Sequence, residues 1–165
     1  MREYGDNILQ LATMIVRDRG IAEDITQEVF IKAYKGLDSF RQESSAKTWL
    51  YRIAINESKK YLRSWSFRNI FSTLLPRNRP IAEPFDPKGA DAVVLSNMSK
   101  ADMAEQVMAL SPQYRQVIVL HYYEDLSIKE VAQVLGVSEE VVRTKLHRAR
   151  KQFKTLLERE GTEWS

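Results

Sequence analysis

With 165 residues and no cysteine, the chain can hold one ordinary domain or two small ones, and disulfides, thiolate metal sites and cysteine nucleophiles are excluded. Its 25 Lys and Arg against 22 Asp and Glu leave a charge of only +3, so affinity for a polyanion has to come from where charge sits rather than from its sum. Two histidines leave little for a metal, no apolar run approaches the roughly 18 residues of a membrane span, and Met1 is followed by no signal-peptide pattern. The expectation is a cytoplasmic protein without metal or cofactor.

Ile8, Leu11, Ala12 and Ile15 predict a first amphipathic helix, interrupted at Asp18, Arg19 and Gly20. A second helix is expected from about Ile21, with Ile25, Val29 and Ala33 on one side. Asp24, Gln27, Glu28 and Ile31 mark another side, which suits either plain solvation or docking. Gly36 to Ser45 reads as a polar connection in which Ser39, Gln42, Ser44 and Ser45 can bond backbone or bases. A third helix is predicted from near Ala46, with Leu50, Ile53, Ala54 and Tyr61 pointing one way. Arg52, Asn56, Lys59, Lys60 and Arg63 fall on another face. Trp49 and Tyr51 stand at its start, where aromatics beside a basic face suit an unstacked single strand and equally suit a small core.

Four of the five prolines, Pro76, Pro80, Pro84 and Pro87, lie close together and are followed by Gly89. Proline removes a backbone donor and fixes φ, so no long helix passes through, and this stretch is expected to be a linker holding two domains apart. The division is 1–74, a linker over 75–98, and 99–165. Past it, Val107, Met108 and Leu110 close one helix, Pro112 opens the next, and Val117, Ile118 and Leu120 fill it.

Ser127 with Glu130 forms a capping box, Ile128, Val131, Ala132 and Leu135 make one apolar face, and Gly136 ends that helix. Ser138 then caps a last helix whose buried stripe is Val142, Leu146, Ala149 and Phe153. Left outside are Arg143, Thr144, His147, Arg148 and Lys151. From Arg143 to Lys154 there are six Lys and Arg and no acid. A basic helix alone is commonly a solvated one, but a short turn between two capped amphipathic helices favours a helix-turn-helix that reads DNA. A second basic segment lies between Glu57 and Glu83, which hold no acid between them. No strand-like alternation is convincing, so the fold class is all-α: two small helical domains joined by a Pro-rich linker, the second ending in the helix-turn-helix.

These stretches together resemble the extracytoplasmic-function (ECF) group of bacterial RNA polymerase sigma factors. AEDITQEVFIKAY, from Ala22 to Tyr34, looks like the group's polymerase-binding segment, and TWLYRIAINESKKYLR, from Thr48 to Arg63, looks like its segment for opening and reading the minus-ten element. LSPQYRQVIVLHYYEDLSIKEVAQVLGVS, from Leu110 to Ser138, followed by VRTKLHRAR, is similar to the domain that reads the minus-thirty-five element. The resemblance implies that Asp24, Gln27, Glu28 and Ile31 dock on core RNA polymerase. It implies that Ser44, Ser45, Lys47, Trp49, Tyr51, Arg52, Asn56, Lys60 and Arg63 surround melted minus-ten DNA. Arg143, Thr144, His147, Arg148 and Lys151 would enter the major groove of the minus-thirty-five element. The implied partners are core polymerase, promoter DNA as duplex and as melted strand, and an anti-sigma factor, often membrane-bound, with no small-molecule substrate.

Three departures stand out. Glu140 and Val141 replace a common Gly-Thr at the start of the last helix, the stretch before Ile8 is shorter than the family's first helix, and a tail around Trp164 has no counterpart. The competing reading is a stand-alone helix-turn-helix regulator. An enzyme acting on nucleic acid ranks last, because no carboxylate cluster or activated nucleophile is evident.

Overall fold

The computed structural model describes residues 2–40, 45–68 and 97–160; Ser44, the prolines of the linker and Trp164 lie outside the described residues. Among the described residues every regular element is helical.

Helix α1 (Arg2–Val16) buries the expected stripe, with Ile8, Leu11, Ala12 and Ile15 all fully enclosed. It ends at Arg17, whose φ of 63° is left-handed, a conformation that an L side chain adopts at a cost of about 1–2 kcal/mol. The break therefore falls before Gly20. Asp18 caps helix α2 (Arg19–Lys35) by accepting from the Ile21 backbone N–H at 3.0 Å, which places Gly20 inside the first turn. Ala22, Ile25, Val29 and Ala33 face inward from α2. After a 3₁₀ turn (Leu37–Ser39), helix α3 (Ala46–Arg68) begins where Ser45 accepts from the Thr48 N–H at 3.1 Å. Helices α1, α2 and α3 pack on one another, and Lys32 of α2 bonds Glu57 of α3 across their seam.

Helix α4 (Lys100–Val107) is capped by Ser99, and α5 (Pro112–Ile118) opens on proline at its first turn. The chain then widens into a π-helical turn (Val119–Tyr123), closed by the Glu124 N–H on the Val119 carbonyl at 2.9 Å. Helix α6 (Ile128–Leu135) has the predicted capping box in full. Ser127 Oγ accepts from the Glu130 N–H, Glu130 Oε1 accepts from the Ser127 N–H, both at 3.1 Å, and Gly136 takes φ 68° at its end. Helix α7 (Glu139–Glu160) follows, with Val142, Leu146, Ala149 and Phe153 buried. Each such side chain, fully enclosed, is worth about 1.5–3 kcal/mol of transfer free energy.

The sequence predicts two bundles held apart, and here the structure differs. Helix α3 lies along α6, and α1 reaches α5 and the π turn. The two helical sets share one connected core, because α3 is apolar on two sides: Leu50 and Ala54 are buried, and so are Tyr51 and Ile55. One helix cannot hide both sides against α1 and α2 alone.

Candidate nucleic-acid interface

Helix α7 presents its basic residues in a graded way. Arg143 is exposed, with its guanidinium 3.7 Å from Glu139 one turn earlier. Thr144, Arg148 and Lys151 are half-buried, and the Thr144 hydroxyl donates to the Glu140 carbonyl at 3.1 Å. His147 corrects the expected outward face, since it is only 7% exposed. Its neighbour one turn on, Arg150, is equally buried and lies over the Tyr122 ring at 5.9 Å. The buried arc of α7 is thus wider than one i, i+4 stripe, because α4, α5 and α6 all pack on it. Arg143, Thr144, Arg148 and Lys151 remain toward solvent.

The face of α3 is split. Arg52, Asn56, Lys60 and Arg63 are exposed as expected. Trp49 is half-buried, its ring 4.7 Å from that of Phe40, and it also lines a cavity of about 650 Å³ with Thr48, Arg52, Lys129, Gln133 and Gly136. Packing and a cavity wall are thus combined in one side chain. Tyr51, expected beside a melted strand, is instead fully enclosed, and its hydroxyl donates to Glu124 Oε2 at 2.7 Å. The Lys47 ammonium, 5.5 Å above the Tyr51 ring, donates to the Glu124 carbonyl oxygen at 3.3 Å.

Glu124 is the residue at this seam that sequence reasoning missed. It is 7% exposed, and burial raises its pKa above the ordinary carboxylate range while the Tyr51 hydroxyl, Lys47 and Lys100 pull it back. Burial and the adjoining Glu124 raise the Tyr51 pKa as well. The available signal was an acid directly after the long apolar run from Val117 to Tyr123. Elsewhere on this seam like charges meet. Burial lowers the Lys59 pKa, with Lys145 of α7 and Arg63 adding to it.

On the opposite side of the first three helices, α2 exposes Asp24, Gln27 and Ile31, with Glu28 half-buried. Ile31 is 47% exposed and Tyr34 74%. A groove of about 380 Å³ runs alongside, lined by Asp24, Glu28, Glu57, Lys60 and Tyr61. The exposed apolar side chains Ile31 and Tyr34 thus share this helix with both acids (Asp24, Glu28) and lysines (Lys32, Lys35). Among the described residues no group of three or more His, Asp or Glu could hold a metal, and no helix is long and apolar enough to cross a membrane.

Comparison with known proteins agrees with this layout. Residues 1–67 match the family model for Sigma-70 region 2, and residues 100–153 match that for Sigma-70, region 4. The chain is 34% identical over 161 residues to the ECF RNA polymerase sigma factor SigW of Bacillus subtilis, covering 93% of this chain and 84% of that protein. It is 35% identical over 138 residues to the ECF RNA polymerase sigma-E factor of Escherichia coli K12, covering 79% and 71%. Among solved structures, CnrH in complex with the cytosolic domain of CnrY superposes with a TM-score of 0.65 at 26% identity, over 97% of this chain and 86% of that one. The sigma factor RpoE in complex with the anti-sigma factor NepR, from Bartonella quintana, shares the fold with a TM-score of 0.68 at 23% identity, over 93% and 91%. The chain therefore belongs to the ECF RNA polymerase sigma factors, the proteins that bind core RNA polymerase and direct it to promoters for transcription initiation.

Proposed function

We propose that the division of labour within this sigma factor follows its three faces. Asp24, Gln27, Glu28 and Ile31 on α2 dock core polymerase. Ser44, Ser45, Lys47, Trp49, Tyr51, Arg52, Asn56, Lys60 and Arg63 hold the melted minus-ten strand, and Arg143, Thr144, Arg148 and Lys151 read the minus-thirty-five element in the major groove. Residues 1–74 and 99–165 act as separate DNA-reading domains on either side of the 75–98 linker. The protein works in the cytoplasm, performs no catalysis, and is held by an anti-sigma partner, as CnrH is captured with part of CnrY.

One observation carries the mechanism. Tyr51 and Lys47, both assigned to the melted strand, are occupied by Glu124 of the second helical set. The compact arrangement is therefore the silent one, and engaging DNA means exchanging Glu124 for strand phosphates and a base. Unstacking that base costs a few kcal/mol, about 2–4, which base stacking on Trp49 and phosphate contacts have to exceed.

The test mixes the purified chain with core polymerase, with and without Asp24→Ala and Gln27→Ala, and follows co-elution and promoter-dependent transcripts. The expected result is co-elution and transcription by the wild type and loss of both in the variants. Tight duplex binding without any affinity for core would make the chain a stand-alone helix-turn-helix regulator.

A further inference from the structure

The enclosure of His147, only 7% exposed, moves the open part of α7 toward its start. Between Glu139 and Phe153 the exposed side chains of this helix are Glu139, Glu140, Val141 and Arg143. In a helix-turn-helix that is the end of the recognition helix that meets base edges. Glu139 and Arg143 are engaged with each other, at 3.7 Å. Glu140 and Val141 are left, and the proposed function assigns them nothing. At about 100° per residue, Glu140, Val141, Thr144, Arg148 and Lys151 fall in one arc about 100° wide, so the two extend the reading face by a turn. The Glu140 backbone carbonyl accepts from the Thr144 hydroxyl at 3.1 Å, which ties these positions together. Its carboxylate enters no ion pair among the described residues. Val141 is 39% exposed, and among the described residues no other large apolar side chain of α7 is as open.

We infer that Glu140 and Val141 set promoter choice at two neighbouring base pairs: the Glu140 carboxylate selects cytosine through its N4 amino group, and Val141 selects thymine through its 5-methyl group. An acid on a helix facing phosphates is repelled unless it takes a hydrogen-bond donor, and the base edges of the major groove offer it the amino groups of cytosine and adenine. Adenine sets its N7 acceptor beside that amino group, where a carboxylate meets lone pair with lone pair, and cytosine does not. Valine has no donor or acceptor in its side chain, so the base-edge group it gains on is the thymine methyl. A glutamate in a first helical turn also suits the helix dipole. Glu139 sits there as well, however, and dipole compensation predicts no base preference. Both residues depart from the Gly-Thr common in the family, so the preference belongs to this chain. The inference rests on the proposed reading of α7 as the minus-thirty-five helix and deepens it.

The test uses the full chain assembled on core polymerase. Preferred duplexes are selected from promoter-length DNA randomised over both elements, and the winner is then titrated with each base pair changed singly. It is expected to carry an upstream cytosine whose replacement weakens binding roughly fivefold or more. Beside it should lie a thymine whose replacement by uracil weakens binding about threefold. Glu140→Ala should accept all four bases at the first position about equally, and Glu140→Gln should move the preference there to adenine, whose N6 and N7 an amide pairs with. Val141→Ala should remove the response to uracil and nothing else. Glu158→Gln, toward the far end of α7, should leave every position as in the wild type. Both changed side chains are exposed, and circular dichroism matched to the wild type verifies that each variant keeps its helices. Failure to enrich any duplex would sink the reading of α7 together with this inference. A preferred duplex with the same position-by-position profile for wild type, Glu140→Ala and Glu140→Gln would overturn the inference alone and leave Glu140 as a helix-end charge. An undiminished uracil response in Val141→Ala would overturn the thymine assignment.

Discussion

The two basic helices, α3 and α7, carry similar residues and are placed in opposite ways. Helix α7 turns Arg143 to solvent and keeps its apolar stripe on its own set of helices. Helix α3 keeps Arg52, Asn56, Lys60 and Arg63 outside but gives Tyr51 to the other set, through Glu124. The lesson is one of ownership. A recognition helix in a helix-turn-helix is oriented by neighbours close in sequence, whereas the inward half of α3 is oriented by a residue 73 positions away. Under the proposed function, the first reads DNA with its surroundings intact and the second has to be released.

Leu146 anchors α7 in its own core, fully enclosed. Leu146→Ala should cost about 2–5 kcal/mol of stability, measured by urea unfolding, and should abolish duplex binding with it. A loss well under 1 kcal/mol would show that α7 is held chiefly from the other side of the molecule, and the contrast would collapse.

Glu124→Ala tests the other half. It leaves the enclosed Tyr51 hydroxyl without its acceptor, at a cost of about 1–3 kcal/mol to the compact arrangement. Because the chain has no cysteine, a single introduced pair on α2 and α7 can be labelled cleanly for distance measurement. The expected result is a population shifted to longer distances and tighter binding of a minus-ten single strand. An unchanged distance would remove Glu124 as the latch.

Within α7, Arg148→Ala should lose roughly 1–3 kcal/mol at one base pair, whereas Lys151→Ala should weaken all duplex sequences alike and flatten the salt dependence. Binding titrations on single-position promoter variants separate the two. Equal losses on every sequence for Arg148→Ala would reduce this helix to a phosphate contact.

The smallest effect is that of pH. Glu124 has a raised pKa in the compact arrangement, so that state binds the extra proton. Compaction should be strongest below the ordinary carboxylate range, weaken as pH climbs through the raised value, and level off above it. The labelled pair would report this, and Glu124→Gln should flatten the profile. A profile rising with pH would reverse the assigned sign.

Local structure was legible because its causes are local. Capping at Ser127 and Ser138, proline at the first turn of α5, the left-handed Gly136 and the stripe from Val142 to Phe153 all act over one or two turns. Two local assignments moved for equally local reasons. The break expected over Asp18, Arg19 and Gly20 falls at Arg17 and Asp18, since the Asp18 cap starts the next helix at Arg19. His147 is drawn inside because several helices, not one, pack on α7.

By itself, the order of residues determined the helices, their caps, the helix-turn-helix and the separation of acidic from basic faces, since periodicity and end chemistry need only a dozen neighbouring residues. The tertiary structure alone decided which face of α3 is free and that Glu124 holds Tyr51. Those outcomes depend on which helices share a core, and a desolvated charge has no meaning until that core exists.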